Sequence, residues 1–170
     1  MRLVRLKNRL LARVFTAFPA LAARWGERLR SDEGAIPWAV PRRRLADATV
    51  ALVTTGGVHL ASQSPFVMGD PDGDPSWREI PVATRRDQLI ITHDYYDHRD
   101  AENDLNLVLP VERFAELVAA GAVGALFDPA IALMGHIDGR HLQTLREGTA
   151  PAIAHRLVEG GVDYALLVPA

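Results

Sequence analysis

The densest group of reactive side chains is His93-Asp94-Tyr95-Tyr96-Asp97-His98. Two imidazoles, two carboxylates and two phenols in six residues suit proton transfer or hydrogen bonding to a substrate oxygen. His93, Asp94 and His98 are therefore the candidate acid/base residues, with Tyr95 as a substrate contact. A metal site is a weaker reading: histidines five apart on a helix face different sides, and the spacing matches no zinc pattern. No metal is expected.

Two further segments could contact a ligand. Thr54-Thr55-Gly56-Gly57-Val58-His59 has two glycines, which would let backbone amides approach an anion. A tight turn with positive φ explains the same glycines. The Walker lysine and the full dinucleotide fingerprint are absent, and no cofactor is expected. Met134-Gly135-His136 brings a glycine beside an imidazole. Thr54, Thr55, Gly56, Gly57, His59, Met134, Gly135 and His136 thus join Tyr95 as candidate substrate-binding residues. Asp70, Asp72 and Asp74 alternate like the start of a calcium loop, but the twelfth position is Pro81 rather than glutamate.

The elements that must position these groups alternate in type. Thr49–Thr54 reads as a buried strand, Gln88–Thr92 as a second, and Leu105–Leu109 as a short extended piece running into a helix over 110–120. Val123–Phe127 is another strand, Leu142–Glu159 is helical with a break near Gly148, and Tyr164–Val168 is the last strand. The Pro- and Gly-rich stretch Gln63–Pro81 reads as loop. Apolar strands between helices predict an α/β fold, a three-layer, mainly parallel sheet of Rossmann-like or flavodoxin-like type. Ligands in such sheets sit at the carboxyl ends of strands. Those ends are expected at Thr54–His59, Thr92–His98, Asp128-Pro129 and Pro169-Ala170.

Residues 1–44 form a separate basic arm and linker ahead of the body at 45–170. Of 170 residues, 19 are Lys or Arg and 21 Asp or Glu. The arm holds eleven of the bases and three of the acids, so it carries +8 and the body −10. Leu3, Leu6, Leu10, Val14, Phe18, Leu21, Trp25 and Leu29 recur every three or four residues, predicting an amphipathic helix that Pro19 kinks or splits. The leading expectation is that its apolar stripe packs on the body or on a partner subunit, making a homo-oligomer or heteromer through the arm. A membrane surface ranks behind that, and a secretory signal further behind. Ser31–Gly34 and Ile36–Pro41 form the turn-rich linker. Arginines without interleaved aromatics, on an acidic body, exclude nucleic acid as a partner. The absence of cysteine excludes a thiolate nucleophile within these residues.

Taken in order, these motifs resemble a known family. Val50–Leu60, Asp70-Pro71-Asp72-Gly73-Asp74, Arg78-Glu79-Ile80-Pro81, Ile91–His98, Asp104–Pro110 and Met134-Gly135-His136 are similar to the selenoprotein B family of glycine/betaine/sarcosine/D-proline reductases. The resemblance covers about residues 45–170. It implies a cytoplasmic oxidoreductase that joins two X–H groups with a disulfide as acceptor. A selenol or thiol attacks a small-molecule substrate, a C–N or related bond is cleaved, and a thiol or dithiol reductant or redox partner protein restores the nucleophile. It also places that nucleophile, with a cysteine three positions further, directly after Leu166–Ala170, so the chain is expected to be a truncated form. Two alternatives stay open: a metal-dependent hydrolase or lyase using His93 and His98, and a non-catalytic subunit of a reductase complex.

Overall fold

The computed structural model describes residues 2–28 and 39–170. The expected linker turn at Ser31–Gly34 and the start of Ile36–Pro41 lie outside the described residues.

Strand β1 (Thr49–Thr54) is the centre of the molecule, buried along almost its whole length. Its run of Val, Leu and Thr suits a strand covered on both faces. Strand β7 (Tyr164–Val168) pairs with it in parallel from Val50↔Tyr164 to Thr54↔Val168. That fills one side, so the short strand β5 (Ala125–Leu126) and strand β6 (Ala130–Leu133) share the other, both parallel to β1. Strand β3 (Trp77–Ile80) closes the sheet antiparallel to β6, from Trp77↔Leu133 to Ile80↔Ala130. A separate antiparallel pair joins β2 (Val58–Leu60) to β4 (Leu89–Ile91).

Alternation along the strands builds two cores. Leu52, Ala130 and Ala132 face one layer, with Val58, Leu89, Ala101, Val108 and Leu109. That layer includes helices α3 (Arg99–Asn103) and α4 (Val111–Ala119). Val53, Ile131 and Leu133 face the other, against Ile153, Leu145 and Leu157. The second layer is one helical run: α5 (His141–Thr144), a π-helical turn at Leu145–Thr149, and α6 (Ala150–Glu159). The expected break near Gly148 is therefore a widened turn rather than a restart. Thr149 caps nothing; its hydroxyl donates to the Pro75 carbonyl at 2.7 Å. Helices on both faces of a mainly parallel sheet make the three-layer α/β arrangement anticipated from the strand pattern.

Three differences from the sequence reading matter for the site. The stretch Gln63–Pro81 is not all loop, because Trp77–Ile80 forms β3. Leu105–Leu107 is a 3₁₀ turn rather than extended, with Asp104 as its cap accepting from the Asn106 amide. Asp128-Pro129 does follow the carboxyl end of β5, but β5 pairs with Thr49 and Val50 at the start of β1 and β6 takes over at Val53. This end therefore lies midway along β1 rather than at its carboxyl rim; Asp128 accepts there from the Val82 amide at 3.0 Å. The carboxyl-end rim there is Met134–His136, after β6.

The arm forms α1 (Arg2–Ala17) and α2 (Pro19–Arg28), split at Phe18 beside the proline. Of the two expected coverings for its apolar stripe, the body is not the one used by Leu6 and Leu10. Arg5, Arg9 and the buried Ala12 face the body, while Leu6 and Leu10 point outward, 66 % and 62 % exposed. The contact that turns the helix this way is the buried Asp94 carboxylate, which Arg5 and Arg9 both bind.

Candidate functional site

Strands β1, β6 and β7 run in parallel, so their carboxyl ends share one rim, and the turns that follow meet there. After β1, Thr54 Oγ1 accepts from the Gly56 amide at 3.0 Å, while the Gly57 amide donates to the Leu133 carbonyl at 2.9 Å. The amides that could have cradled an anion are thus satisfied within the protein. Of the two readings of this motif, the tight turn is the one observed. Gly57 has φ +69°, and a Cβ there would lie 2.5 Å from the Thr92 carbonyl oxygen. Only glycine holds the β1 turn this close to the residues after β4.

After β6, Gly135 has φ +90°, and a Cβ there would meet the Thr55 carbonyl at 2.8 Å. The β1 and β6 turns are therefore in direct backbone contact. After β7, the Ala170 amide donates to Thr55 Oγ1 at 3.1 Å, and the Thr55 amide donates to the Val168 carbonyl. The third turn thus closes over the same threonine.

The segment after β4 supplies the aromatic and ionisable groups. His93 is 5 % exposed, and its Nδ1 accepts from the Tyr95 amide at 3.1 Å. In the neutral ring the proton therefore sits on Nε2. Burial, then the nearby His98 and His136, push its pKa down to about 4. At neutral pH His93 is an uncharged hydrogen-bonding group rather than a charged acid. Tyr96 packs edge-on against it with ring centroids 4.6 Å apart and donates to the Gly56 carbonyl at 3.1 Å. Burial raises the Tyr96 phenol to about 12, which keeps it a donor. Tyr95 stacks on His136 at 4.0 Å.

His136 is fixed from behind by a clamp that the motifs alone did not disclose. Its Nε2 bonds the Pro71 carbonyl at 2.9 Å, while Asp70 takes both Arg140 and His141, and Asp72 takes Arg140. The His141 hydrogen bond holds the Asp70 carboxyl below the usual range. Asp74 is tied instead to the Val67 and Ser76 amides. The alternating aspartates pin two loops together, a role that becomes visible only when Arg140 and His141 arrive about 70 residues later in the chain.

Thr54, Thr55, Gly56, Gly57, His93, Tyr95, Met134, Gly135 and His136 are thus brought together. His59 is not part of that group. It is buried with Nδ1 on the Leu60 carbonyl and Nε2 on the Thr92 hydroxyl, each at 2.8 Å, and stands edge-on to Phe66. Asp94 also turns away, toward the arm. It is 1 % exposed and binds Arg5 Nε at 2.5 Å and Arg9 Nε at 3.0 Å. Burial would raise its pKa, but those hydrogen bonds outweigh burial and hold the carboxyl below its usual range.

Between α1 and the segment 93–102 lies a cavity of about 270 Å³. Arg9 and Arg13 line one side; His93, Tyr96, Asp97, His98, Arg99 and Glu102 line the other. His98 Nδ1 lies 2.8 Å from Glu102 Oε1, and Arg99 pairs with Asp97, whose pKa falls to about 2. A cavity of this size, with charges of both signs, is large enough for a small polar molecule. A second cavity, about 170 Å³, lies between Ile80, Leu89, Leu105 and Leu109, away from the strand-end turns. Among the described residues no three His, Asp or Glu side chains converge in a metal-holding arrangement.

The chain is 35 % identical over 130 residues to the D-proline reductase subunit gamma of Acetoanaerobium sticklandii, covering 76 % of this chain and 52 % of that one. The chain belongs to the selenoprotein B family. The glycine reductase complex component B subunit gamma of Carboxydothermus hydrogenoformans is 30 % identical over 136 residues, covering 72 % of this chain and 28 % of that one. The chain thus spans about half the length of the first relative and less of the second. No family model matches it, and no solved structure does.

Proposed function

We propose that this selenoprotein B family chain is the substrate-cleft portion of a component of a reductase complex, acting on a small amine or amino acid. The observation that carries this reading is the meeting of three strand-end turns on Thr55, with Ala170 bonded to its hydroxyl. In the family pattern a selenol or thiol follows Leu166–Ala170, and the Ala170 amide bonds the Thr55 hydroxyl, which supports a nucleophile near that turn. The nucleophile is not one of these 170 residues, which include no cysteine.

The chemistry asked of the cleft is a displacement followed by a reduction. The lone pair of the selenolate or thiolate forms a bond to the carbon that carries nitrogen. The C–N pair leaves with the nitrogen, which takes up a proton. A dithiol then reduces the adduct, releasing the reduced carbon product and itself becoming a disulfide. A polarisable, ionised chalcogen suits the first step. The chain's own part is positioning. Neutral His93 is held between the Tyr95 amide and the Met134 backbone and lines the cavity, Tyr96 fixes the β1 turn, and the stacked Tyr95–His136 pair forms a wall that the Asp70–Arg140–His141 clamp holds still.

The test is dithiol-dependent release of amine or ring opening from glycine, betaine, sarcosine and D-proline by the native assembly purified through this chain. Turnover of one of the four, blocked by iodoacetate and depressed by Tyr96→Phe or His93→Gln, is the expected result. An assembly that turns over none of them, with dithiol present and the chain folded, would end the reading.

A further inference from the structure

Asp94 is the member of the His93–His98 cluster to which the cleft gives no task. Its neighbours His93 and Tyr95 both meet the strand-end turns, yet its own carboxylate turns toward the arm and is 1 % exposed. A carboxylate buried to that depth is costly unless its charge is met. Arg5 meets it with hydrogen bonds from Nε and Nη2, and Arg9 with a third from Nε. The rest of the inward face of α1 lands on the same segment. Arg5, Asn8, Ala12 and Phe15 recur at steps of three and four, and all are among the less exposed positions of the helix. Asn8 lies against the Tyr95 phenol. Ala12 lines the cavity of about 270 Å³ together with His93, Tyr96 and His98.

Helix α1 is therefore one wall of that cavity, and the groups across from it include two that the cleft uses, His93 and Tyr96. Without the helix the cavity is an open groove along residues 93–102. We propose that Asp94 is a positioning residue of the cleft: by latching Arg5 and Arg9 it holds α1 as the wall that closes the cavity around a bound small molecule. The inference rests on reading the cleft as a substrate site. Asp94 touches no substrate; it acts through the helix, which shields one side of the cavity from water. His93 and Tyr96 take their bonds from the body itself, the Tyr95 amide and the Gly56 carbonyl, and keep them when the helix leaves. Loss of the latch therefore weakens the hold on substrate and leaves the reacting geometry in place. A salt bridge with a purely structural role would change stability alone, whereas a latch changes the exposure of the cavity residues.

The experiment compares wild type with Asp94→Asn, which removes the anion, and with Arg5→Gln, which removes two of the three hydrogen bonds and leaves the body sequence untouched. In the purified chain, carbethoxylation of His98 by diethylpyrocarbonate is followed by mass spectrometry against His155, whose side chain is 73 % exposed on α6. The His98 side chain is 23 % exposed and lines the cavity. Both variants are expected to speed its modification about threefold or more relative to His155, as local opening uncovers it. In the native assembly, KM for whichever of glycine, betaine, sarcosine and D-proline is turned over is expected to rise about fivefold or more, with kcat within about twofold. Unchanged His98 rates in both variants would overturn the inference. So would a fall in kcat at unchanged KM, which would place Asp94 in the chemistry. Should Asp94→Asn fail to fold, Arg5→Gln decides alone. A wild-type assembly that turns over none of the four ends the reductase reading, and the modification rates then decide by themselves whether Asp94 holds the wall.

Discussion

His93 should make stability drop as the pH is lowered, in a window set by its own burial. An ordinary imidazole titrates near 6.5, and this one is held down to about 4 by burial and by His98 and His136. The unfolded chain therefore binds a proton between those values that the folded chain does not. Stability is full above about pH 6.5 and is lost as pH falls toward the folded value. At about 1.4 kcal/mol per pKa unit, the full loss is ~3 kcal/mol, of which about 2 kcal/mol is gone by pH 5. Carboxylates held low, such as Asp94 and Asp97, lose their contribution at lower pH still. The assay is urea unfolding of wild type and His93→Gln at pH 7 and pH 5. Glutamine keeps an acceptor for the Tyr95 amide and cannot titrate. The drop in unfolding free energy from pH 7 to 5 should be about 2 kcal/mol larger in wild type. Equal drops in the two proteins, or a His93 ring resonance titrating near 6.5, would refute the placement of that side chain.

Further perturbations follow from single contacts. Gly57→Ala forces a side chain into φ +69° and toward the Thr92 carbonyl, and should cost about 1–3 kcal/mol in urea unfolding; Gly148→Ala, with open space around it, should cost nothing measurable. Tyr96→Phe removes one hydrogen bond to the Gly56 carbonyl and should lower stability by about 1 kcal/mol. Asp94→Asn should leave Arg5 and Arg9 without their anion and speed tryptic cleavage within α1 several-fold, read by mass spectrometry; unchanged cleavage would mean that the carboxylate does not hold the arm. In the wild type the same clamp should survive to a pH below the usual carboxylate range, then fail as the pH falls through the depressed Asp94 value.

What could be read from the sequence divides by the range of the interactions involved. Strand β1 declares itself as an apolar run because it is the covered centre of the sheet; β7 reads the same way although Leu167 is 69 % exposed. Strand β6 is Ala-Ile-Ala-Leu directly after Pro129, with little β-branched signal, and β3 is Trp-Arg-Glu-Ile ended by Pro81; both become strands by pairing with each other. The meeting of turns at the rim was legible where polar residues follow a strand directly, as with Thr54–Gly57 and Met134–His136. It was misleading where a residue's partner lies on another element. His59 reads as a ligand contact until Thr92 on the neighbouring segment takes its second nitrogen. Asp94 reads as a catalytic base until Arg5 and Arg9 arrive from more than 80 residues away. The arm shows both sides of this: periodicity gave its helices and Pro19 its split, but which face docks depends on a carboxylate that helical periodicity does not encode.

The central claim is that small amines or amino acids bind where the β1, β6 and β7 turns meet beside the segment after β4. Its most direct test is nuclear magnetic resonance of the chain with isotopically labelled histidine, titrated with glycine, betaine, sarcosine and D-proline. One of the four should shift the His93 and His136 ring resonances saturably, while His59, with both nitrogens already bonded, stays in place. Shifts confined to His155 on the surface of α6, or no saturable shift with any of them, would contradict the account.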